Sequence, residues 1–329
     1  MKKNDTIFNT VANIALGKIT EGILEIVQGE KLLEKLDNQN LPLQEVSELW
    51  QLPLMTTRTI AQCLSGIGIL RYKDEKLSLS EEADYFLEYF NLIHNAVIGS
   101  PYIESSDLVK KRILDPQPLN WYVMRNQGKK PEETDLGPDF FTSLHKQRIH
   151  WGTELAAQYD FSKHNTLMDI GGASGGWCLG VQKRNPHLNC IIFDMAPVCK
   201  IAEQFIEKAG VKEHIKTVGG NFFVDDLPNT ADVIMLANVL HDWNIDDCHK
   251  ILRKVFNALK PGGSILVKEF YAENDWSGSV WAGYHSLTVL GQGEETGWQP
   301  SYEEMGVIMK TEGFSQIEDR KDLVIGKKL

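Results

Sequence analysis

LMDIGGASGGW, residues 167–177, joins a short apolar run to four glycines. An apolar run that stops at a glycine turn reads as the end of a buried strand. Gly171, Gly172, Gly175 and Gly176 let backbone approach a ligand closely there. Asp194 ends the next apolar run, NCIIFDM, 23 residues beyond Gly171. An acid at that place can hold a ribose diol. The glycines read GGASGG rather than GxGxxG, so the register of a dinucleotide site is not met. Asp169 stands just before them, where a carboxylate attracts a cationic group such as an amine.

Outward from this turn the chain alternates. NTLMDIGG reads as a strand, WCLGVQKRN as a helix, NCIIFDM as a strand and APVCKIAEQFIEKAG as a helix stopped by Gly210. ADVIMLANVLHD is a strand running into a loop, DDCHKILRKVFNALKPGG an amphipathic helix, and SILVKEFY a further strand. SYEEMGVIMKTEGF adds a helix, and IEDRKDLVIGKKL supplies closing strands. Strands alternating with helices of this length specify a doubly wound α/β sheet.

By the strand-end rule, His241 in VLHDWN falls at the mouth of that sheet. An isolated histidine is most often a satisfied polar group. This one follows a buried-type strand directly, and Lys268-Glu269 ends another strand 28 residues on. If the two strands are neighbours, Glu269 lies beside His241, orients the ring and supports its cationic form. His241 is then a candidate general base for a hydroxyl proton.

The N-terminal part reads differently. Pro42 and Pro53 bracket a short amphipathic helix, LQEVSELWQ, and TTRTIAQCLSGIGIL gives a second. A short strand at Ile69–Tyr72 turns at Lys73–Lys76 and returns through Leu77–Leu79. Helices followed by a hairpin form the order of a winged helix, which can bind DNA. Here the DNA-facing helix carries only Arg58 as a strong base. With 34 basic and 45 acidic residues the net charge is -11, which opposes nucleic-acid binding. The domain boundaries read as 1–110, a helical linker and pocket-lining segment at 111–164, and 165–329. Five scattered cysteines without a CxxC motif fit a reduced, cytoplasmic chain. No run approaches the roughly 18 apolar residues that span a bilayer, so no membrane partner is expected.

MDIGGASGG, FDMAPV, GGNFFVDDLP, NVLHDW, LKPGG and the late TEGF follow one another here. In that order the chain resembles the S-adenosylmethionine-dependent O-methyltransferases of the caffeic acid and hydroxyindole type, over roughly residues 10–325. The resemblance implies a class I, Rossmann-like methyltransferase domain preceded by a winged-helix-like dimerisation domain, and a homodimer. It implies S-adenosyl-L-methionine as cofactor and a small molecule, aromatic or polyketide-like, as methyl acceptor. Carried residue by residue, it implies that Asp169, Gly171, Gly172 and Gly175 cradle the methionine part and that Asp194 holds the ribose. Met195 then packs near the adenine. Asn221, where the family usually has Asp, receives the adenine amine, and Phe222 lies against the ring. His241 falls on the catalytic histidine and Glu269 on its orienting glutamate. No metal is implied.

Trp151, Trp281, Tyr284 and His285 are candidates for the acceptor's side of the pocket. Trp121, Tyr122, Phe140 and Phe141 are further aromatics for a flat acceptor or for the core. His285 can equally serve as pocket wall or, with His241 and Asp242, as a ligand of a metal. The family's late substrate-side glutamate has no clean counterpart; Glu294 and Glu295 are nearest in GQGEETGWQPSYEE. Two other readings remain open: a C-methyltransferase on a keto acid or related carbon acid, and a non-catalytic cofactor-binding or DNA-binding regulator.

Overall fold

The computed structural model describes residues 29–66, 68–81, 144–274 and 298–329, together with 23, 24, 26, 27, 83, 282, 283, 286 and 289. They divide between two units, Met1–Ile93 and His94–Leu329.

In the first unit, helices α1 (Leu43–Trp50) and α2 (Leu54–Gly66) precede a hairpin of β2 (Leu70–Lys73) and β3 (Lys76–Leu79). The hairpin turns tightly on Asp74 and Glu75, both at positive φ, and its ladder runs out to Lys73 opposite Lys76. A third strand, β1 (Asn40–Pro42), pairs antiparallel with β3. The sequence reading passed over it because it is three residues long and ends in proline. Proline is tolerated on an edge strand, where one face of the backbone needs no partner. Leu36, Val46, Trp50, Leu64 and Leu77 are buried in the shared core, and the Trp50 indole donates to the Leu32 carbonyl at 2.9 Å.

The second unit is built on a seven-stranded sheet. Its strands are β4 (Thr166–Ile170), β5 (Asn189–Asp194), β6 (Ile215–Gly219), β7 (Val233–Ala237), β8 (Ser264–Lys268), β9 (Ser315–Arg320) and β10 (Leu323–Lys327). The spatial order is β6-β5-β4-β7-β8-β10-β9. β4 to β8 pair in parallel, and β10 is antiparallel to both its neighbours. This is the doubly wound sheet that the alternation specifies. β6 lay outside that reading: IKTVG is an edge strand whose only buried residue is Ile215.

Both faces of the sheet are apolar, as parallel sheets require. Met168, Ile170, Ile234, Leu236 and Val267 point to one face and pack with α6 (Ile245–Ala258) and α7 (Tyr302–Thr311). Leu167, Ile192, Val233, Met235 and Leu266 point to the other. There they meet α3 (His145–Gln158), α4 (Gly176–Arg184) and α5 (Ala196–Ala209).

α3 and α4 cross with their backbones in contact. A Cβ placed on Gly180 would stand 2.1 Å from the Ile149 carbonyl oxygen and 2.8 Å from Gly152 Cα. One placed on Gly152 would stand 2.4 Å from the Trp177 carbonyl oxygen. No side-chain rotation relieves these clashes, because the obstacles are backbone. Helix propensity alone favours Ala over Gly by up to about 1 kcal/mol. We therefore expect Gly180→Ala to reverse that sign and destabilise the chain by about 3 kcal/mol in urea unfolding. A neutral or stabilising result would contradict the crossing, which is what brings α3 to the glycine turn.

Candidate active site

The strand order reverses between β4 and β7, and the crevice beyond their carboxyl ends is where open α/β sheets hold ligands. The glycine turn leaves β4 there. Gly171 has φ +71°, and a Cβ on it would stand 2.8 Å from Val239 Cγ2. Gly175 has φ +77°, and its Cβ would stand 2.5 Å from Ile192 Cδ1. Only glycine fits both the angle and the space. Gly175 is also the N-cap of α4 and contributes no side-chain cap.

Asp169 is 1% exposed. Its Oδ1 has no hydrogen-bond partner among the described residues, and its Oδ2 faces the Cys178 thiol at 3.8 Å. Burial pushes its pKa up to about 8 against the pull of the Arg148 guanidinium. A buried carboxyl with an unpartnered oxygen fits a cationic group arriving beside it. Because the folded pKa lies above that of the free side chain, ionising Asp169 costs stability. The cost begins above about pH 4 and is complete above about pH 8. Asp169→Asn is therefore expected to raise the melting temperature of the ligand-free chain at pH 8 by at least about 2–4 °C, with no gain at pH 3. A lower melting temperature at pH 8 would show that the carboxylate is satisfied without a ligand.

Asp194 joins the turn to α5. Its Oδ2 accepts the Ala173 N–H at 2.8 Å and its Oδ1 the Met195 N–H at 2.7 Å. Burial pushes its pKa up to about 6, although both N–H bonds oppose the rise. Each oxygen keeps a lone pair for a further donor, such as a diol hydroxyl. Ala173 sits at φ +48°, a left-handed angle that costs a non-glycine residue about 1 kcal/mol, and its bond to Asp194 secures it. Met195 packs with Ala173, Val198 and Ile201. The Asn221 side-chain carbonyl accepts the Phe223 N–H at 2.9 Å. Phe222 lies 4.8 Å from Phe223 and edge-on to Trp243 at 5.8 Å, centroid to centroid.

β7 and β8 are direct neighbours, with Ala237 opposite Lys268. That pairing sets Glu269 beside the short 3-10 turn Leu240–Asp242 that follows β7. The Glu269 side chain is fully buried. Its Oε1 accepts the N–H groups of Val239 and Leu240 at 3.1 and 3.0 Å. Its Oε2 accepts the His241 Nδ1–H at 2.5 Å. Nδ1 is thus bonded to Glu269, and Asp242 Oδ1 stands 3.5 Å from Nε2. Burial lowers the His241 pKa, but the Glu269 and Asp242 carboxylates and the bond to Glu269 outweigh it and raise the pKa to about 9. The turn is pinned from both sides. The Cys248 thiol of α6 donates to the Leu240 carbonyl at 3.3 Å, and the Trp298 N–H donates to the His241 carbonyl at 2.9 Å. Asn244 caps α6 through the Asp247 N–H at 2.8 Å, so HDWN combines an imidazole, a carboxylate, a packing indole and a helix cap in four residues.

The structure thus brings Asp169, Asp194, His241 and Glu269 to one edge of the sheet. Trp151 is half-buried on α3, 5.8 Å from Trp177 and edge-on to Phe270 at 6.2 Å. Trp281, Tyr284 and His285 lie outside the described residues, as do Trp121, Tyr122, Phe140, Phe141, Glu294 and Glu295. The metal set of His241 and Asp242 with His285 therefore also lies partly outside them. Sequence reasoning missed His145 and Arg148. They fall three apart on α3, so they read as the solvated side of a helix. In the structure His145 Nδ1 is 2.9 Å from Ser174 Oγ in the glycine turn, and its ring stacks on Phe205 at 3.6 Å. Burial and the Arg148 and Lys208 charges push its pKa down to about 4, so it is neutral. Among the described residues no helix is long and apolar enough to cross a membrane.

Comparison with known proteins agrees with this architecture. The profile of a family described as the O-methyltransferase domain matches residues 126–315. Over 240 residues the chain is 34% identical to 3-hydroxy-5-methyl-1-naphthoate 3-O-methyltransferase of Streptomyces sahachiroi, covering 69% of this chain and 66% of that protein. It is 33% identical over 186 residues to the acetylserotonin O-methyltransferase of Bos taurus, covering 55% and 52%. The aligned stretches thus span about half to two thirds of these relatives. Among solved structures, the S-adenosylmethionine-dependent methyltransferase SibL in its apo form superposes with a TM-score of 0.75 at 17% identity, covering 97% of this chain and 98% of the other. Human N-acetylserotonin methyltransferase, solved with S-adenosylmethionine, gives 0.65 at 19% identity, covering 100% and 99%. At these identities the superpositions speak for the fold.

Proposed function

This chain belongs to the O-methyltransferase domain family, and on that premise we propose that it transfers a methyl group from S-adenosylmethionine to a hydroxyl of a small aromatic or polyketide-like molecule. The observation that carries the reading is the pairing of the buried Asp169 and the half-buried Asp194 at the glycine turn with the His241–Glu269 pair on the adjoining strand ends. The acceptor class is supported by two relatives, one named for a hydroxynaphthoate and one for acetylserotonin.

Asp169, with its unpartnered Oδ1, suits the ammonium of the cofactor's amino-acid end. Asp194 suits the ribose hydroxyls, and Gly171, Gly172 and Gly175 leave room for the chain between them. Met195, Asn221 and Phe222 stand at the carboxyl edge of the sheet for the adenine. S-adenosylmethionine supplies an electrophilic methyl carbon when bound. His241 Nε2 takes the proton of the acceptor hydroxyl as that oxygen becomes the nucleophile. Glu269 keeps the Nδ1–H tautomer and stabilises the imidazolium that results. Trp151, Trp281, Tyr284 and His285 are assigned to the acceptor side. Orientation and exclusion of water supply the remainder of the rate.

The reading includes a cytoplasmic homodimer joined through the N-terminal domain. All five cysteines are free, as in a reducing compartment. Removing residues 1–20 is expected to convert a dimer to a monomer on size exclusion, and an unchanged dimer would reject that interface.

Calorimetric titration tests the cofactor. Saturable, one-to-one binding of both S-adenosylmethionine and S-adenosylhomocysteine is expected, weakened about 10-fold or more by Asp194→Ala. Folded wild-type protein that binds neither would overturn the reading.

A further inference from the structure

Resting on the methyl-transfer reading above, we propose that Gln147 binds the methyl acceptor through its side-chain amide, and so selects small hydroxyarenes that also carry a neutral amide, such as a carboxamide or lactam. Gln147 is 2% exposed, and neither its Nε2 nor its Oε1 has a hydrogen-bond partner among the described residues. Among those residues it is the one side-chain amide with both ends in that state. A buried amide left this way costs stability, and a bound ligand is what can complete it.

Its place on α3 says which ligand arrives. Ile149 and Gly152 take the side of α3 that crosses α4. At about 100° per residue, Gln147 lies roughly 140–160° around the helix from them. Trp151 is one turn on from Gln147 and shares its face. The Trp151 ring meets Phe270 edge-on at 6.2 Å, and Phe270 directly follows Glu269. That face of α3 is therefore turned to the end of β8, where His241 and Glu269 stand, rather than to the α4 crossing. The N-terminal end of α3 lies at the carboxyl edge of the sheet, with His145 Nδ1 2.9 Å from Ser174 Oγ in the glycine turn. Helical side chains lean toward the N-terminus, so the Gln147 stem leads toward that edge and not back along the strands.

The chemistry of the side chain narrows the class. Nε2 carries two donors, and Oε1 accepts through two lone pairs. A second amide, presented edge to edge, meets a donor and an acceptor at once through two parallel hydrogen bonds. A carboxylate accepts from Nε2 but leaves Oε1 facing an anion. It also adds negative charge near Glu269 and near Asp242, whose Oδ1 stands 3.5 Å from His241 Nε2. A plain hydrocarbon ring leaves both ends of Gln147 without partners. A site that holds a buried hydrogen-bonding group discriminates strongly against a ligand that lacks the matching one.

Two measurements on the full chain test this. The first needs no acceptor. Gln147→Leu, which keeps an extended side chain but removes the amide, is expected to raise the melting temperature of the ligand-free protein by about 2–6 °C. An unchanged or lower value would mean that the fold already satisfies the amide, and would overturn the proposal. The second is calorimetry on protein saturated with S-adenosylhomocysteine, using the isomeric hydroxynaphthamides, the matching hydroxynaphthoates and the parent naphthols. The tightest naphthamide is expected to bind wild-type protein at least about 10-fold more strongly than its naphthoate and its parent naphthol. In Gln147→Leu that order is expected to invert, with the parent naphthol binding more tightly than the naphthamide. Wild-type protein that shows no such preference, or binds no naphthamide, overturns the proposal whether or not the variant folds. So does a preference that survives Gln147→Leu. Failure of wild-type protein to bind S-adenosylhomocysteine at all would instead strike the cofactor reading itself.

Discussion

Replacing His241 by alanine is expected to lower kcat/KM for methyl transfer by about 10³-fold while leaving S-adenosylmethionine affinity within about twofold. The separation follows from where the side chain stands. His241 belongs to the turn after β7, whereas the groups assigned to the cofactor lie at or just beyond the ends of β4, β5 and β6. His241 is 5% exposed and its ring is oriented by the short bond from Nδ1 to Glu269, so Nε2 meets an acceptor hydroxyl without a search over rotamers. Positioned general bases contribute about 10²–10⁴-fold, and ring orientation by a buried carboxylate places His241 within that range. With the folded pKa at about 9, the ring carries its proton at neutral pH. The kcat/KM of the wild-type chain is therefore expected to climb with pH up to about 9. A rate unchanged by the substitution would remove His241 from the chemistry.

Replacing Glu269 by glutamine is expected to have the second-largest effect, on stability and on the pH profile together. The carboxylate accepts from three donors, two backbone N–H groups and the imidazole. An amide offers one acceptor oxygen and one NH₂, so either a buried donor is left facing another donor or the imidazole must give up its Nδ1–H tautomer, and the charged bond is lost in both cases. Such a loss costs about 2–3 kcal/mol, about 5–10 °C in melting temperature for a unit of this size. The coupling to pH has a definite sign. His241 has its pKa raised by Glu269 and Asp242, so its contribution to stability is complete below about pH 6.5 and is lost as pH rises through about 9. The deficit of Glu269→Gln is thus greatest in mild acid and smallest above pH 9. The rising limb of kcat/KM moves to lower pH by at least one unit, because burial, which lowers the pKa, is then opposed by Asp242 alone. A deficit that grows with pH would contradict the ion pair.

Much of this site was legible in the chain itself. LMDIGG and NCIIFD are apolar runs that stop at a glycine or an acid, and such runs fold into buried parallel strands wherever they lie. The His241–Glu269 pair was legible only on the condition that their strands be neighbours. The sheet meets that condition, with Ala237 opposite Lys268. What escaped had little local signal. β6 buries only Ile215 at a sheet edge, and β1 ends on Pro42. The α3–α4 crossing depends on Gly152 and Gly180, two residues that lower helix propensity and whose value appears only where two backbones touch. Arg148 and His145 escaped for the same reason: until α3 lies on α4, two polar residues three apart face water. The acceptor pocket was read only as far as residue types go, since Trp281, Tyr284 and His285 fall outside the described residues.

The most direct measurement is transfer from S-adenosylmethionine carrying a trideuteromethyl group to a panel of small phenols and hydroxylated polycyclic acids, read by mass spectrometry with fragmentation. The account predicts a product in which one trideuteromethyl group has replaced the hydrogen of a hydroxyl, formed by the wild-type chain and about 10³-fold more slowly by His241→Ala. Label found on carbon, or label on oxygen delivered equally fast without His241, would contradict it.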